Sequence, residues 1–344
     1  MKMTAVSLFA GVGGFDVALD SSGVDVVANC EIDPKARAVL ARHFPNVTQF
    51  ADIQEVTGDD LRQCGFTPEH GILVGGFPCQ DLSVAGRRAG LVGVRSGLFW
   101  EFHRLLEETG SKWFILENVP GLLSSAGGRD MGTVIGALAD LGYGISYRIL
   151  DAQYFGVPQR RRRVFIVGCR GDDGSASGEV LALSESGAGD PDSIPAARQD
   201  DAGDAESMPR VHRMLGFGHY TEDGTFSALK ARDYKDVTDI VTFVKGRRTQ
   251  SVNVNETWRE DTVSPTVNVF DSGDVRATTL VVDHPVVRRL TPLEFERLQG
   301  FPDGWTEGQS DAQRYKQMGN AVAVPVVRWI TKRLVAVDKK MQEA

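Results

Sequence analysis

The first half of the chain predicts an α/β fold built on a mostly parallel sheet. Three observations carry this: short apolar runs alternate with helix-period segments, a glycine-rich turn separates the first such pair, and several runs end at polar residues. Thr4 to Phe9 is the first strand, Gly11 to Gly14 form the turn, and Phe15 to Leu19 begin a helix. Val24 to Cys30 is the second strand and ends at Glu31. Asp33-Pro34 supplies an N-cap with proline at the first helical position, so Lys35 to Phe44 continue as a helix. Val47 to Phe50, Gly71 to Gly75 and Trp113 to Leu116 read as further strands. Tyr143 to Leu150 and Arg163 to Val167 read as two late strands joined by the loop Tyr154 to Arg162.

Residues 171–209 break this pattern, since Gly, Ala, Ser, Asp and Pro dominate and periodicity is lost; they read as an acidic flexible linker or a loosely ordered entry segment to the second domain. From about Met214 to Val287, short β-branched runs separated by Asp, Gly and Asn predict a small strand-and-loop domain. A weak echo between Ser227 to Val241 and Ser264 to Val281 is as well explained by chance as by duplication. Thr291-Pro292-Leu293-Glu294 is a capping box, so a helix runs to about Gln299 and stops at Gly300. Val324 to Val335 closes the chain as an amphipathic helix.

Composition sets bounds on the function. At 344 residues the chain can bury a substantial core and suggests two domains of unequal size. No apolar stretch approaches the roughly 20 residues that span a bilayer, and the N-terminus runs straight into a strand without a signal peptide. Cys30, Cys64, Cys79 and Cys169 are scattered, with neither disulfide nor zinc-ligand spacing, which points to a reducing cytoplasm and no metal. The net charge of −8 looks wrong for a DNA-handling protein, but residues 171–209 hold ten acids against Arg198 alone. That segment carries −9, so the remainder is near +1, with basic clusters at Arg87-Arg88, Arg160 to Arg163, Lys245 to Arg248 and Arg288-Arg289. Local patches, not the total, make the field that a polyanion meets, although each cluster alone also reads as a solvated surface.

The chemistry-bearing residues sit at predicted strand ends, which converge on one crevice in a parallel sheet. Phe9-Ala10-Gly11-Val12-Gly13-Gly14 lets backbone approach a ligand but differs from the GxGxxG dinucleotide fingerprint. Glu31 is placed to accept hydrogen bonds from ribose hydroxyls and Asp52 from an adenine amino group. On these residues alone, a generic nucleotide-binding domain without transfer chemistry remains open. In Pro78-Cys79-Gln80 a lone thiol follows a buried strand; a small buried hydrophobe is the bland reading, a nucleophile the sharp one. Glu117-Asn118-Val119 brings a carboxyl group to the next strand end, where a helix-capping surface acid is the alternative. In Gln159-Arg160-Arg161-Arg162-Arg163, strand alternation puts Arg161 and Arg163 on one face. Gln317-Met318-Gly319-Asn320-Ala321-Val322 precedes the last helix.

In this order the motifs resemble the DNA (cytosine-5)-methyltransferase family of the bacterial and phage restriction-modification type, over residues 4–169 and 288–330. Ser7 departs from the acid that many members carry there. The resemblance implies a Rossmann-like S-adenosylmethionine-dependent methyltransferase sheet, mostly parallel with a late antiparallel strand, plus a small, mainly β/loop target-recognition domain. It implies a catalytic and cofactor-binding domain at 1–170 completed by about 310–344, and a target-recognition domain at 171–309 in which 288–309 is the return helix. Cys79, Glu117, Asn118, Arg161 and Arg163 are the implied catalytic residues. S-adenosyl-L-methionine would lie against Phe9, Gly11, Gly13, Gly14, Glu31, Ile32, Asp52, Ile53, Pro78, Leu98, Asn320 and Val322. Ser83, Arg87, Arg88, Arg95 and Gln159 would meet double-stranded DNA, with Gln80 to Arg95 as a hinged basic lid. The expected assembly is a monomer, with a cognate restriction endonuclease as a separately acting partner. The alternatives are a tRNA cytosine-5 methyltransferase of the same chemistry and a non-catalytic DNA- or cofactor-binding regulator. Phe77 before Pro78 and the long variable region weigh against the first, and the joint presence of Cys79, Glu117, Arg161 and Arg163 against the second.

Overall fold

The computed structural model describes residues 2–77, 97–183 and 290–343, together with the backbone of short strands between residues 212 and 289. Strands β1 (Thr4–Leu8) and β4 (Gly71–Gly75) are buried along their whole length. Strands covered on both faces read as continuous apolar runs, which is how these two appear in the sequence. They share a seven-stranded sheet with β2 (Asp25–Cys30), β3 (Thr48–Phe50), β5 (Trp113–Asn118), β6 (Tyr143–Asp151) and β8 (Arg162–Arg170). The order is β3-β2-β1-β4-β5-β8-β6. The first five strands pair in parallel, and β8 is inserted antiparallel to both β5 and β6, as the expected late antiparallel strand requires.

Strand alternation divides the core into two layers. Ala5, Ile72, Val74, Trp113 and Ile115 pack on one face with Phe15 and Ala18 of helix α1 (Gly14–Asp20). Val6, Leu8, Leu73, Phe114 and Leu116 pack on the other. There they meet Phe99, Phe102 and Leu105 in a helix (Leu98–Thr109) and Val134 and Leu138 in another (Arg129–Asp140). Helix α2 (Pro34–His43) starts where expected, with the Asp33 side chain accepting the Lys35 N–H. The long C-terminal helix (Val324–Glu343) lays Val327, Ile330, Leu334 and Val337 into the first layer. Near its end, buried Asp338 accepts the Trp113 indole N–H at 2.8 Å and pairs with Lys112 at 2.8 Å. The capping box at Thr291 and Glu294 is present, and the helix it opens (Pro292–Gln299) ends at Gly300, whose φ is +77°. Among the described residues, no helix is long and apolar enough to cross a membrane.

The linker expectation for 171–209 is corrected at its start. Ser175–Leu181 is a helix, with Val180 and Leu181 buried in the first layer. Asp172 Oδ2 accepts the N–H groups of Gly174 and Ala176 and so nucleates it, a local cap hidden by the polar composition. Between residues 212 and 289 the described backbone is short strands, including the antiparallel pairs His212–Gly216 with His219–Glu222 and Leu280–Asp283 with Val286–Arg289.

Asp16, in the first turn of α1, is fully buried in the first layer. Its Oδ1 accepts from Asn29 Nδ2 at 3.2 Å, while its Oδ2 and the Asn29 Oδ1 find no protein partner. Burial pushes the carboxyl from 3.8 up to about 6, with Ser7 and Asn29 offsetting part of the effect. A folded pKa above the unfolded one means that the protonated acid favours the fold. That stabilisation is complete below the unfolded value and is lost as pH rises through about 6. Asp16→Asn stays neutral and can donate to the free Asn29 oxygen, so it is expected to raise stability at pH 8 by about 1–3 kcal/mol. The gain should shrink toward pH 4, and urea unfolding of both proteins at pH 4, 6 and 8 checks this. An equal gain at all three would remove buried ionisation as its cause.

Candidate active site

The C-terminal ends of β1, β2, β4 and β5 open on the same edge of the sheet, and Phe9, Gly11, Glu31 and Glu117 stand at or just past these ends. The turn after β1 is held in an unusual conformation: Phe9, Gly11 and Gly13 have φ of +55°, +57° and +90°. Phe9 is one of two described non-glycine residues in that region, and such strain persists only where the surroundings impose it. Here Ala10 N–H donates to the Cys30 carbonyl at 3.0 Å. The Glu31 carboxylate clamps the turn from the next strand end, its Oε2 accepting the Gly11 N–H at 2.7 Å and its Oε1 the Asp33 N–H at 2.8 Å. A Cβ placed on Gly11 would meet nothing within 4 Å, so the turn borders open space.

Ile32, next to the residue that clamps the turn, is 71% exposed, an apolar side chain left open to solvent. Asp52 accepts the Gln54 N–H at 3.0 Å and caps a short turn in which Ile53 is buried. Burial, and after it the charges of Glu31 and Asp52, push the neighbouring Cys30 thiol up to about 12. Both acids therefore lie near the end of β2. Leu98 is the first residue of its helix and packs partly buried against the second layer.

The other wall comes from the far end of the chain. A Cβ on Gly14 would lie 2.8 Å from Val322 Cγ1 and 3.2 Å from its carbonyl oxygen, so only glycine admits this approach. Trp305 Nε1 donates to the Val12 carbonyl at 2.7 Å. Asn320 is exposed at the end of a helix (Asp311–Asn320), next to the buried Val322.

At the end of β5, Glu117 pairs with Arg163 of β8 at 2.9 Å, with 15% and 18% of their side chains exposed. The second Glu117 oxygen lies 2.9 Å from where a Cβ on Gly76 would stand, so the acid rests directly on the chain leaving β4. Asn118 turns inward: its Nδ2 donates to the Phe77 carbonyl at 2.9 Å and its Oδ1 accepts the Val119 N–H at 2.8 Å. It ties the two strand ends together, which fits a positioning role better than a catalytic one.

Two expectations do not match the geometry. Arg161 does not join Glu117. It is buried and donates to the carbonyls of Gly319 at 3.2 Å and Ala321 at 2.8 Å. One residue separates β7 (Gln159–Arg160) from β8, yet burial still alternates, with Gln159 and Arg161 inward and Arg162 exposed; what alternation could not supply was the partner, which is the segment 319–321. Gln159, expected at DNA, is fully buried and donates to the Leu298 carbonyl at 2.7 Å. Pro78, Cys79, Ser83, Arg87, Arg88 and Arg95, and the lid expected at Gln80 to Arg95, lie outside the described residues.

The sequence reading missed Gln299 and Trp305. Gln299 Nε2 donates to the Met318 carbonyl at 2.7 Å and so helps set the segment bearing Asn320 and Val322. Its signal was available, since Phe295, Leu298 and Gln299 fall on one helical face, where a glutamine is out of place unless bonded. The Gly14–Val322 contact yields a direct test. Gly14→Ala is expected to destabilise by about 1–3 kcal/mol through overpacking, and Val322→Ala added to it should cost less than the sum of the two single changes. Chemical unfolding of the three variants measures the coupling.

The chain resembles known proteins along nearly its whole length. The family described as C-5 cytosine-specific DNA methylase matches residues 3–336. Type II methyltransferase M2.BsuMI of Bacillus subtilis is 32% identical, covering 96% of this chain and 75% of that protein. Type II methyltransferase M.HpaII of Haemophilus parainfluenzae is 31% identical over 97% of this chain and 89% of its own length. The crystal structure of the S. pombe Dnmt2 methyltransferase shares the fold, with a TM-score of 0.62 at 18% identity, covering 98% of this chain and 99% of that one. With a family match running almost from end to end, the protein belongs to the C-5 cytosine-specific DNA methylases and is a DNA (cytosine-5)-methyltransferase.

Proposed function

We propose that this chain methylates C5 of a cytosine flipped out of double-stranded DNA, at a specific sequence, through a covalent bond between Cys79 and C6, with S-adenosyl-L-methionine as donor. The observation that carries the proposal is the Glu117–Arg163 pair resting on Gly76, three residues ahead of Cys79, at the same sheet edge as the Glu31-clamped turn. The fit to the donor is argued from that turn: open space at Gly11, the exposed Ile32 side chain, Glu31 for the ribose and Asp52 for the adenine. Phe9, Gly13, Gly14, Ile53, Leu98, Asn320 and Val322 would complete its surroundings, with Pro78 from the adjoining segment. When bound, it supplies an electrophilic methyl group on a sulfonium.

Cytosine C5 is a weak nucleophile and needs activation. The Cys79 thiolate adds to C6, the C5–C6 π pair moves to C4–C5 and the C4–N3 π pair to N3, and Glu117, entering this step protonated, gives its proton to N3, which leaves C5 enamine-like. Arg163, held by Glu117, is placed for the base O2. Once C5 carries the new methyl group, its proton passes to a water molecule, the C–H electron pair re-forms the C5–C6 double bond, Cys79 leaves as the thiolate, and N3 returns its proton to Glu117. The base must leave the stack for this, at a cost of a few kcal/mol.

The likeness to type II methyltransferases supports a restriction-modification role; a cytoplasmic location, a separately acting cognate endonuclease and a monomeric state are proposed with it. In this reading residues 1–170 and 310–344 form the catalytic and cofactor-binding domain and 171–309 the target-recognition part, with the helix Ser175–Leu181 packed on the former. The family match favours DNA over tRNA.

Cys79→Ser is expected to abolish methyl transfer while S-adenosylhomocysteine binds within about twofold of the parent protein. Glu117→Gln should lower the rate by about 10²–10⁴-fold. Mass spectrometry of the protein with 5-fluorocytosine duplex DNA and S-adenosylmethionine should find a covalent adduct at Cys79. Methylation without an adduct would overturn the covalent route, and binding without methylation would favour the regulator.

A further inference from the structure

Arg37 has no part in the assignments above, yet it closes the back of the turn that follows β2. It lies in the first part of α2, and its Nη1 donates to the main-chain oxygens of both Glu31 and Ile32, each at 2.9 Å. The front of the same turn is held by the Gly11 and Asp33 amides, which bind the two Glu31 carboxylate oxygens. Glu31 is thus fixed at its side chain by two N–H groups and at its carbonyl by a cation. Ile32 has less to orient it. At 71% exposure it lacks the surrounding side chains that normally lock a rotamer and a direction, so its backbone must set where it points.

Electrostatics add to the geometry. Glu31, Asp33 and Asp52 crowd the end of β2. Two cations answer them: Lys316, 3.6 Å from Asp33, and Arg37, whose charge opposes the upward push that Glu31 and Asp52 exert on the Cys30 thiol. A planar guanidinium can meet two carbonyls while its charge faces the acids, which a lysine ammonium does less well.

We propose that Arg37 is a positioning residue for the adenosine end of the methyl donor, holding Glu31 toward the ribose and Ile32 against the adenine. This rests on the reading of Glu31 and Ile32 as donor contacts. Arg37 acts through those two residues and touches no reacting atom.

The test measures S-adenosylhomocysteine binding to the full chain by calorimetry, alongside the melting temperature without ligand. Arg37→Met is expected to weaken binding about tenfold, and Arg37→Lys to recover part of the loss. KM for S-adenosylmethionine should rise in step with the dissociation constant, with kcat the less affected parameter. Combined with Glu31→Ala, Arg37→Met should add little to the loss from Glu31→Ala alone, because both act through one contact. A lowered melting temperature with unchanged binding in Arg37→Met or Arg37→Lys would reduce Arg37 to a fold role and overturn the proposal. Additive losses would do the same. If Glu31→Ala weakens binding and Arg37→Met does not, only the Arg37 proposal falls. If neither does, the placement of the donor itself falls.

Discussion

The closure of the C-terminal segment over the first β–α turn is the constraint on which the site depends. Gly14 has no side chain because Val322 occupies that volume, and the Val12 carbonyl is satisfied by the indole of Trp305. Residues separated by about 300 positions thereby form adjoining walls of one crevice. The long helix after Val322 secures this closure by burying Val327, Ile330 and Leu334 in the layer that also holds α1. At about 25 cal/mol per Å² of apolar area buried, such a helix is worth many times any single hydrogen bond in the turn. Packing therefore holds the walls, and the polar contacts aim what lies between them.

Those polar contacts fall into two sets that meet at the sheet edge. In the first, Glu31 spends both carboxylate oxygens on backbone amides and keeps lone pairs facing outward, so one acid shapes the turn and remains an acceptor. In the second, Gln159, Arg161 and Gln299 direct their donors at the carbonyls of Leu298, Met318, Gly319 and Ala321. Buried carbonyls at the end of a helix need donors, and these side chains supply them. The same strand segment that carries Arg163 to Glu117 thus also pins the segment carrying Asn320. The Glu117 end of the crevice and the wall bearing Asn320 are both held by residues 159–163.

The buried acid Asp16 departs from this economy. It stands between β1 and β2 opposite Ser7, the position where the sequence departs from the acid common in the family. A carboxyl group is therefore present behind the glycine turn, but it comes from the helix and not from the strand. Desolvation keeps it closer to neutral than an exposed aspartate, which lets it sit in an apolar layer with one hydrogen-bonded oxygen.

The sequence by itself determined the α/β class, the strand ends at Glu31 and Glu117, the caps at Asp33 and Thr291, and the family. These are local signals: apolar runs, capping residues and ordered short motifs depend on neighbours a few positions away. It also separated Arg163 from Arg160 and Arg162 by alternation, because β8 is regular there. Only the tertiary structure decided the fates of Arg161 and Gln159, whose buried side chains meet carbonyls more than 130 positions distant. It alone identified Gln299, Trp305 and Asp16 as parts of the site's support and found the helix Ser175–Leu181 inside an acidic segment. The physical reason is common to all of them. Whether a polar side chain faces water or satisfies a buried partner depends on which distant segment packs against it, and composition and periodicity carry no record of that partner.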